Sequence, residues 1–217
     1  MKLCHVSDNH SVFYPLEGDY EIIIHSGDML PNNRPRLKSQ EPLFQRDWIR
    51  DNSENFKRWI GNKPFLFCSG NHEYTEPCTE LRDMGINAIN IDNKIVELNG
   101  FKFYAFPYVP YIGVWNWEAI ERDMKNKVDV LIDVLNKNDI DVLVAHCPPY
   151  GILDMNNRGS NIGNLPMLEA LKNNITKFPK LYLCGHVHEA NGYDELIINN
   201  KILKISNAAT SYRIIEI

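Results

Sequence analysis

Five short apolar runs in this sequence each end in residues of types that can bind metals. Leu3 to Ser7 runs into Asp8-Asn9-His10, Ile22 to Ser26 into Gly27-Asp28, and Phe65 to Ser69 into Gly70-Asn71-His72-Glu73. Val142 to Ala145 runs into His146-Cys147-Pro148-Pro149, and Leu181 to Cys184 into Gly185-His186-Val187-His188. Five of the 7 histidines fall in these segments, beside Gly-Asp, Gly-Asn and Pro-Pro turns, which a random scatter would not produce. Asp8, His10, Asp28, Asn71, His146, His186 and His188 form a mixed nitrogen and oxygen donor set without thiolate. Such a set suits Mn, Fe, Zn, Co or Ni and disfavours Cu(I) or iron–sulfur chemistry. A carboxylate in it can bridge two cations. Glycines directly before Asp28, Asn71 and His186 let the backbone turn with no Cβ in the way.

Residues this far apart meet only if the runs before them are strands of one fold. In open α/β sheets ligands bind just beyond the carboxyl ends of strands, so the spacing predicts one shared rim. Strands are expected at Lys2 to Ser7, Glu21 to Ser26, Pro64 to Cys68, Ile95 to Leu98, Phe101 to Phe106, Val142 to His146 and Leu181 to Cys184. Three more are expected in the tail, around Leu196 to Ile198, Ile202 to Ile205 and Arg213 to Ile217. Apolar spacings of three and four predict helices over Glu41 to Ile60, Pro77 to Met84, Trp117 to Asn136 and Pro166 to Phe178. In the third, Ile120, Met124, Val128, Leu131 and Leu135 make the apolar stripe. The alternation reads as α/β or an α/β sandwich. Pro31 to Pro42, Pro107 to Gly113 and Pro148 to Pro166 read as the long loops, where function tends to concentrate.

Other residues in these loops carry two readings each. Tyr108, Tyr111, Trp115 and Trp117 form either a wall for a nucleobase or aryl group, or a lid packed on the core. Arg34, Arg36 and Lys38 either anchor a second phosphate or are a solvated loop, and Arg158 either rims the pocket or is plain surface. His5 and His25, upstream of ligands and inside apolar runs, read as core histidines or donors to ligands rather than as ligands.

Composition narrows the function classes. At 217 residues, 44% hydrophobic and 24% charged, the chain is globular and fits one domain over residues 1–217, with no repeat or linker. A net charge of -5 argues against a life on nucleic acid. No apolar stretch of about 18 residues predicts a membrane partner. Five cysteines without CxxC pairing read as reduced thiols, which with the absence of a secretory start points to the cytoplasm.

The ordered set Asp8-x-His10, Gly27-Asp28, Gly70-Asn71-His72-Glu73, His146 and Gly185-His186-x-His188 resembles the signature of the calcineurin-like metallophosphoesterase superfamily, and its flanking segments resemble a compact branch of small stand-alone phosphoesterases. The resemblance implies a four-layer α/β/β/α sandwich of two mixed sheets flanked by helices. It implies that Asp8, His10 and His188 bind a first divalent metal, that Asp28 bridges, and that Asn71, His146 and His186 bind a second, Mn being favoured. His72 is then the catalytic histidine, and Glu73 either orients its neighbours or is surface. A pair of metals so held acidifies a bridging water, whose hydroxide attacks a phosphate ester. The expected substrates are small phosphomonoesters, phosphodiesters or nucleotides. The alternatives are a nuclease and, in another class, a non-catalytic protein-binding scaffold. Two departures stand out: Asn9 sits where the family more often has Thr, and no acidic residue follows Asp28 until Glu41.

Overall fold

Runs that are apolar on both faces, such as Ile22-Ile23-Ile24 and Val142-Leu143-Val144, suit strands covered on both sides, and they form fully buried strands here. The computed structural model describes residues 1–34 and 37–217. Its first half runs β1 (Lys2–Ser7), β2 (Ile22–His25), α1 (Glu41–Asp51), α2 (Ser53–Ile60), β3 (Phe65–Phe67), α3 (Cys78–Asp83), β4 (Ala88–Asn90), β5 (Ile95–Leu98) and β6 (Phe101–Phe106). The second half runs β7 (Val109–Pro110), β8 (Glu118–Ala119), α4 (Glu121–Lys137), β9 (Val142–Ala145), α5 (Leu165–Asn173), β10 (Leu181–Cys184), β11 (Gly192–Ile198), β12 (Lys201–Asn207) and β13 (Ser211–Glu216).

Two mixed sheets result, with strand orders β13-β1-β2-β3-β4 and β11-β12-β10-β9-β6-β5, beside a small β7-β8 pair. Within each sheet the strands that lead into the candidate ligands run parallel: β1 with β2, β2 with β3, and β9 with β10. Parallel direction is what brings their carboxyl ends to a common edge. Leu3, Ile22, Ile24 and Leu66 of one sheet meet Phe103, Val142, Val144 and Leu183 of the other in a core between the sheets. On the outer face of the first sheet, Ile49, Phe56, Trp59 and Leu81 of α1 to α3 cover Val6, Ile23, Phe65 and Phe67. On the outer face of the second, Met124, Val128, Leu131 and Leu135 of α4 and Met167 and Leu171 of α5 cover Leu143, Tyr182 and Ile205. The layers are therefore helix, sheet, sheet, helix. Each fully buried Leu, Ile or Phe in them contributes about 1.5–3 kcal/mol.

Three expectations need correcting. The helix expected over Glu41 to Ile60 is two helices, because Asn52 leaves helical geometry and its side-chain Nδ2 donates to the Trp48 carbonyl at 3.0 Å while its Oδ1 accepts from Asn55 Nδ2. The helix expected from Trp117 begins at Glu121, since Glu118 and Ala119 pair with Val109 and Pro110. Ile120 then becomes the extended cap residue, 49% exposed, and drops out of the apolar stripe. The third is the helix expected over Pro166 to Phe178, which ends at Asn173; β4, whose Ala88-Ile89-Asn90 is too short to show a period, is an added strand. Among the described residues no helix is long and apolar enough to cross a membrane.

Candidate metal centre

The ends of β1, β2, β3, β9 and β10 meet at one edge of the sandwich. Asp8, His10 and His188 form one group of facing donor atoms, and Asp28, His146 and His186 form another; within each group the donors lie within 4.8 Å of one another. Asn71 joins the second group through its Oδ1, 3.2 Å from His146 Nε2, which also stands 3.3 Å from Asp28 Oδ2. His146 Nδ1 donates to the Ser26 carbonyl at 2.7 Å, which turns Nε2 onto those oxygens as the ring atom that a cation would take. In the first group His10 Nε2 and His188 Nε2 face each other at 3.2 Å, and His188 Nε2 is 3.3 Å from Asp8 Oδ1.

Local backbone geometry is strained where the donors sit. Asp8, His10, Asp28 and His186 all have left-handed φ, between 41° and 67°, a region that side chains avoid unless the surroundings enforce it. The enforcing contacts are visible. Glu73, buried, accepts backbone N–H bonds from Asp28, Met29, Leu30 and Gly70 at 2.6 to 3.0 Å, which ties the β2 and β3 loops together. Of its two expected roles, the orienting one matches this geometry, and the surface one does not. Asp8 Oδ2 accepts from Ser7 Oγ and His186 N, and Asp28 Oδ1 accepts from His72 N. A Cβ on Gly70 would strike Asp28 Oδ1, and one on Gly185 would strike Ser7 Oγ and Asp8 Oδ2, so neither position has room for any other residue.

The electrostatics favour a cation here. Asp8 Oδ1 is buried without a hydrogen bond, although an oxygen so placed ordinarily has one. Burial opposes the charge on Asp28, but His146, His72 and His10 hold its carboxyl well below the usual range. Burial likewise opposes the charge on His146, and the Asp28 and Asp8 carboxylates push it up to about 10. Burial, reinforced by the His146 charge, takes His186 down to about 4. An orphaned oxygen, facing imidazole nitrogens and two buried carboxylates make a donor set that divalent ions fit.

His72 lies beside both groups. Its Nε2 is 3.8 Å from Asp28 Oδ2, its ring is 4.7 Å from that of His10, and it stacks on Trp115 at 4.1 Å. Burial lowers its pKa. A cavity of about 590 Å³ opens next to it, lined by His10, Asn32, Asn33, Arg34 and Trp115 among others. Of the four loop aromatics Trp115 faces this cavity, whereas Tyr108 packs on the α4 side of the core against Trp117, and Tyr111 is 61% exposed. Lys38 Nζ donates to the Trp115 carbonyl at 3.3 Å, and Arg36 lies outside the described residues. Arg158 is exposed in a turn closed on Asn156. His25 is buried: its Nδ1 accepts from Gly27 N and its Nε2 donates to Asn9 Oδ1 at 2.8 Å, so the Asn in place of Thr is held by a core histidine. Sequence reasoning missed Asp92, which fixes Ser69 before the Gly70 turn, and Asn116, which donates to the carbonyls of Asn71 and Glu73. Asp92 follows β4, a strand too short to be read from the sequence, and Asn116 lies between β7 and β8 with no motif to mark it.

A family model described as calcineurin-like phosphoesterase matches residues 1–190. The chain belongs to that family. Among curated proteins it is similar to metallophosphoesterase domain-containing protein 1 of Homo sapiens, 23% identical over 86% of this chain and 60% of the relative. A UPF0046 protein of Caenorhabditis elegans is 29% identical over 71% of this chain and 37% of its own length. The chain thus spans about 60% or less of these two relatives. A solved Staphylococcus aureus chain named as a 5'-nucleotidase superposes on 95% of this chain and 48% of its own, with a TM-score of 0.51 at 14% identity, a likeness of fold.

Proposed function

We propose that residues 1–217 act as one unit that hydrolyses phosphate esters of small molecules or nucleotides, using two divalent cations. Asp8, His10 and His188 would hold one cation, Asn71, His146 and His186 the other, with Asp28 between them. The observation that carries this reading is the meeting of two donor groups, supplied by five strands, beside a histidine and an open cavity. Bound cations would supply charge to the phosphate oxygens and acidify the attacking water. The chain's own residues do the rest. His72, steadied by Asp28 and Trp115, bonds or protonates the leaving oxygen. The cavity, with Arg34 on its rim, takes the remainder of a small substrate. Metallophosphoesterase and 5'-nucleotidase names among the similar proteins support phosphate esters as the substrate class. Five buried free cysteines support a cytoplasmic setting.

Metal analysis of the purified chain, with assays on p-nitrophenyl phosphate, bis-p-nitrophenyl phosphate, cyclic nucleotides and labelled single-stranded DNA, tests this. Two metals per chain and turnover of the small esters with Mn, Ni, Co or Zn are expected. Silence across the whole panel would favour the scaffold, and cleavage of DNA alone the nuclease.

A further inference from the structure

The buried residues of α1 are Glu41, Gln45 and Ile49, one helical turn apart, and the first two are polar. A helix that turns polar groups inward must give them partners. Gln45 uses its whole amide on main-chain atoms. Nε2 donates to the Pro31 carbonyl at 3.1 Å and to the His72 carbonyl at 2.7 Å. Oε1 accepts from the backbone N–H groups of Tyr74 at 2.8 Å and Thr75 at 3.1 Å. One side chain thus fastens the loop after β2, which carries Asp28, to the loop after β3, which carries Asn71 and His72. Asn32 Nδ2 adds a second bond to the His72 carbonyl at 3.1 Å, and Glu41 Oε2 accepts from Asn32 Nδ2 and Asn33 N.

All of these bonds end on atoms outside the seven candidate ligands. They grip the main chain of His72 from the α1 side, while Asp28 Oδ1 holds its N–H and Trp115 covers its ring. We infer that Gln45 is a positioning residue for His72, fixing the main chain from which the imidazole reaches the reacting phosphate. A catalytic group held only through its side chain would wander; one whose carbonyl and following N–H groups are bonded to a buried amide keeps its aim. The inference rests on the reading of His72 as the group that handles the leaving oxygen.

Gln45→Met keeps the length of the side chain and removes all four bonds. Gln45→Glu keeps the acceptor for Tyr74 and Thr75, loses both donations, and serves where the first variant does not fold. With the Mn-loaded full chain and bis-p-nitrophenyl phosphate, either variant should lower kcat on the order of 10- to 100-fold. KM should move by less than about threefold, with metal content unchanged. In a His72→Ala background the same change should cost nothing further, because its effect passes through the missing imidazole. An equal loss in both backgrounds, or an unaltered kcat, overturns the assignment. A second readout does not depend on turnover: in the metal-free chain, NMR signals of the His72 ring, shifted by the Trp115 indole, should move in both variants. Unmoved signals overturn the proposal too. If the unmutated protein cleaves nothing, the phosphoesterase reading fails, and the NMR result still decides the role of Gln45.

Discussion

The two donor groups are built from the same residue types, yet the fold holds them very differently. Around Asp28 the group is the more enclosed: Asp28 and His146 are buried, with His146 bonded to Ser26, Glu73 grips the Asp28 loop by three of its N–H groups, and only His186 is half-buried. Around Asp8, the group opens outward: His188, on a short 3-10 turn, has a side chain 44% exposed, and His10 is half-buried. Donors that move only when the sheets move release a cation slowly, while donors on a solvent-facing turn release it by local fluctuation. Identical chemistry can therefore produce one fixed and one exchangeable position.

The largest effect should come from the enclosed group. His146→Ala should lose a cation and cost more than the roughly 100-fold seen when a residue that merely orients a ligand is removed. Rates near normal in that variant would break the comparison outright. His72→Ala should keep both cations and lose rate by on the order of 100-fold, in line with removal of a general acid. Loss of a cation there would mean that the donors are partitioned differently, since His72 also stands with His10 and Asp28. His188→Ala should weaken one cation by at least about 100-fold, more than loss of an orienting residue would, and recover activity at high metal concentration. Failure of excess metal to restore it would show the open group to be as fixed as the enclosed one.

The last effect is read in folding rather than turnover, at the buried histidines His5 and His25. Burial holds His5 and His25 down at about 3, whereas the same groups titrate near 6.5 when unfolded. The unfolded chain therefore takes up protons first: the stability they contribute is complete above pH 6.5 and is lost as pH falls toward 3. Chemical denaturation of the metal-free chain should show a decline of at most about 1.4 kcal/mol per pH unit for each histidine. The decline should be shallower in His5→Gln. A decline equally steep in His5→Gln and in the unmutated chain would contradict it.

Much of this was legible in the sequence, for reasons that differ by element. β1, β6 and β10 appear with the expected bounds because long apolar runs ending in Asp, Pro or Gly leave little choice. The candidate ligands were legible because glycines and histidines interrupt those runs at their ends. What period counting could not reveal was the inward polar face of α1, where Glu41 and Gln45 share the face of Ile49 but carry polar groups that a count of apolar residues passes over. Nor could it reveal that Glu73 turns inward, since a carboxylate receiving four backbone N–H groups looks like any other Glu in the chain. The aromatic loop split for a related reason: Glu118 caps Ile112 N and Trp115 N, sending Trp115 toward His72 and leaving Tyr111 outside.

The family match stops at residue 190, yet the strands that lead into Asp8, His186 and His188 pair with the 27 residues that follow it. β13 lies against β1, β12 lies against β10, and a bridge joins Ala209 to Ser7. A fragment cut at that boundary would keep every donor atom and leave two raw sheet margins, each ready to stick to another molecule.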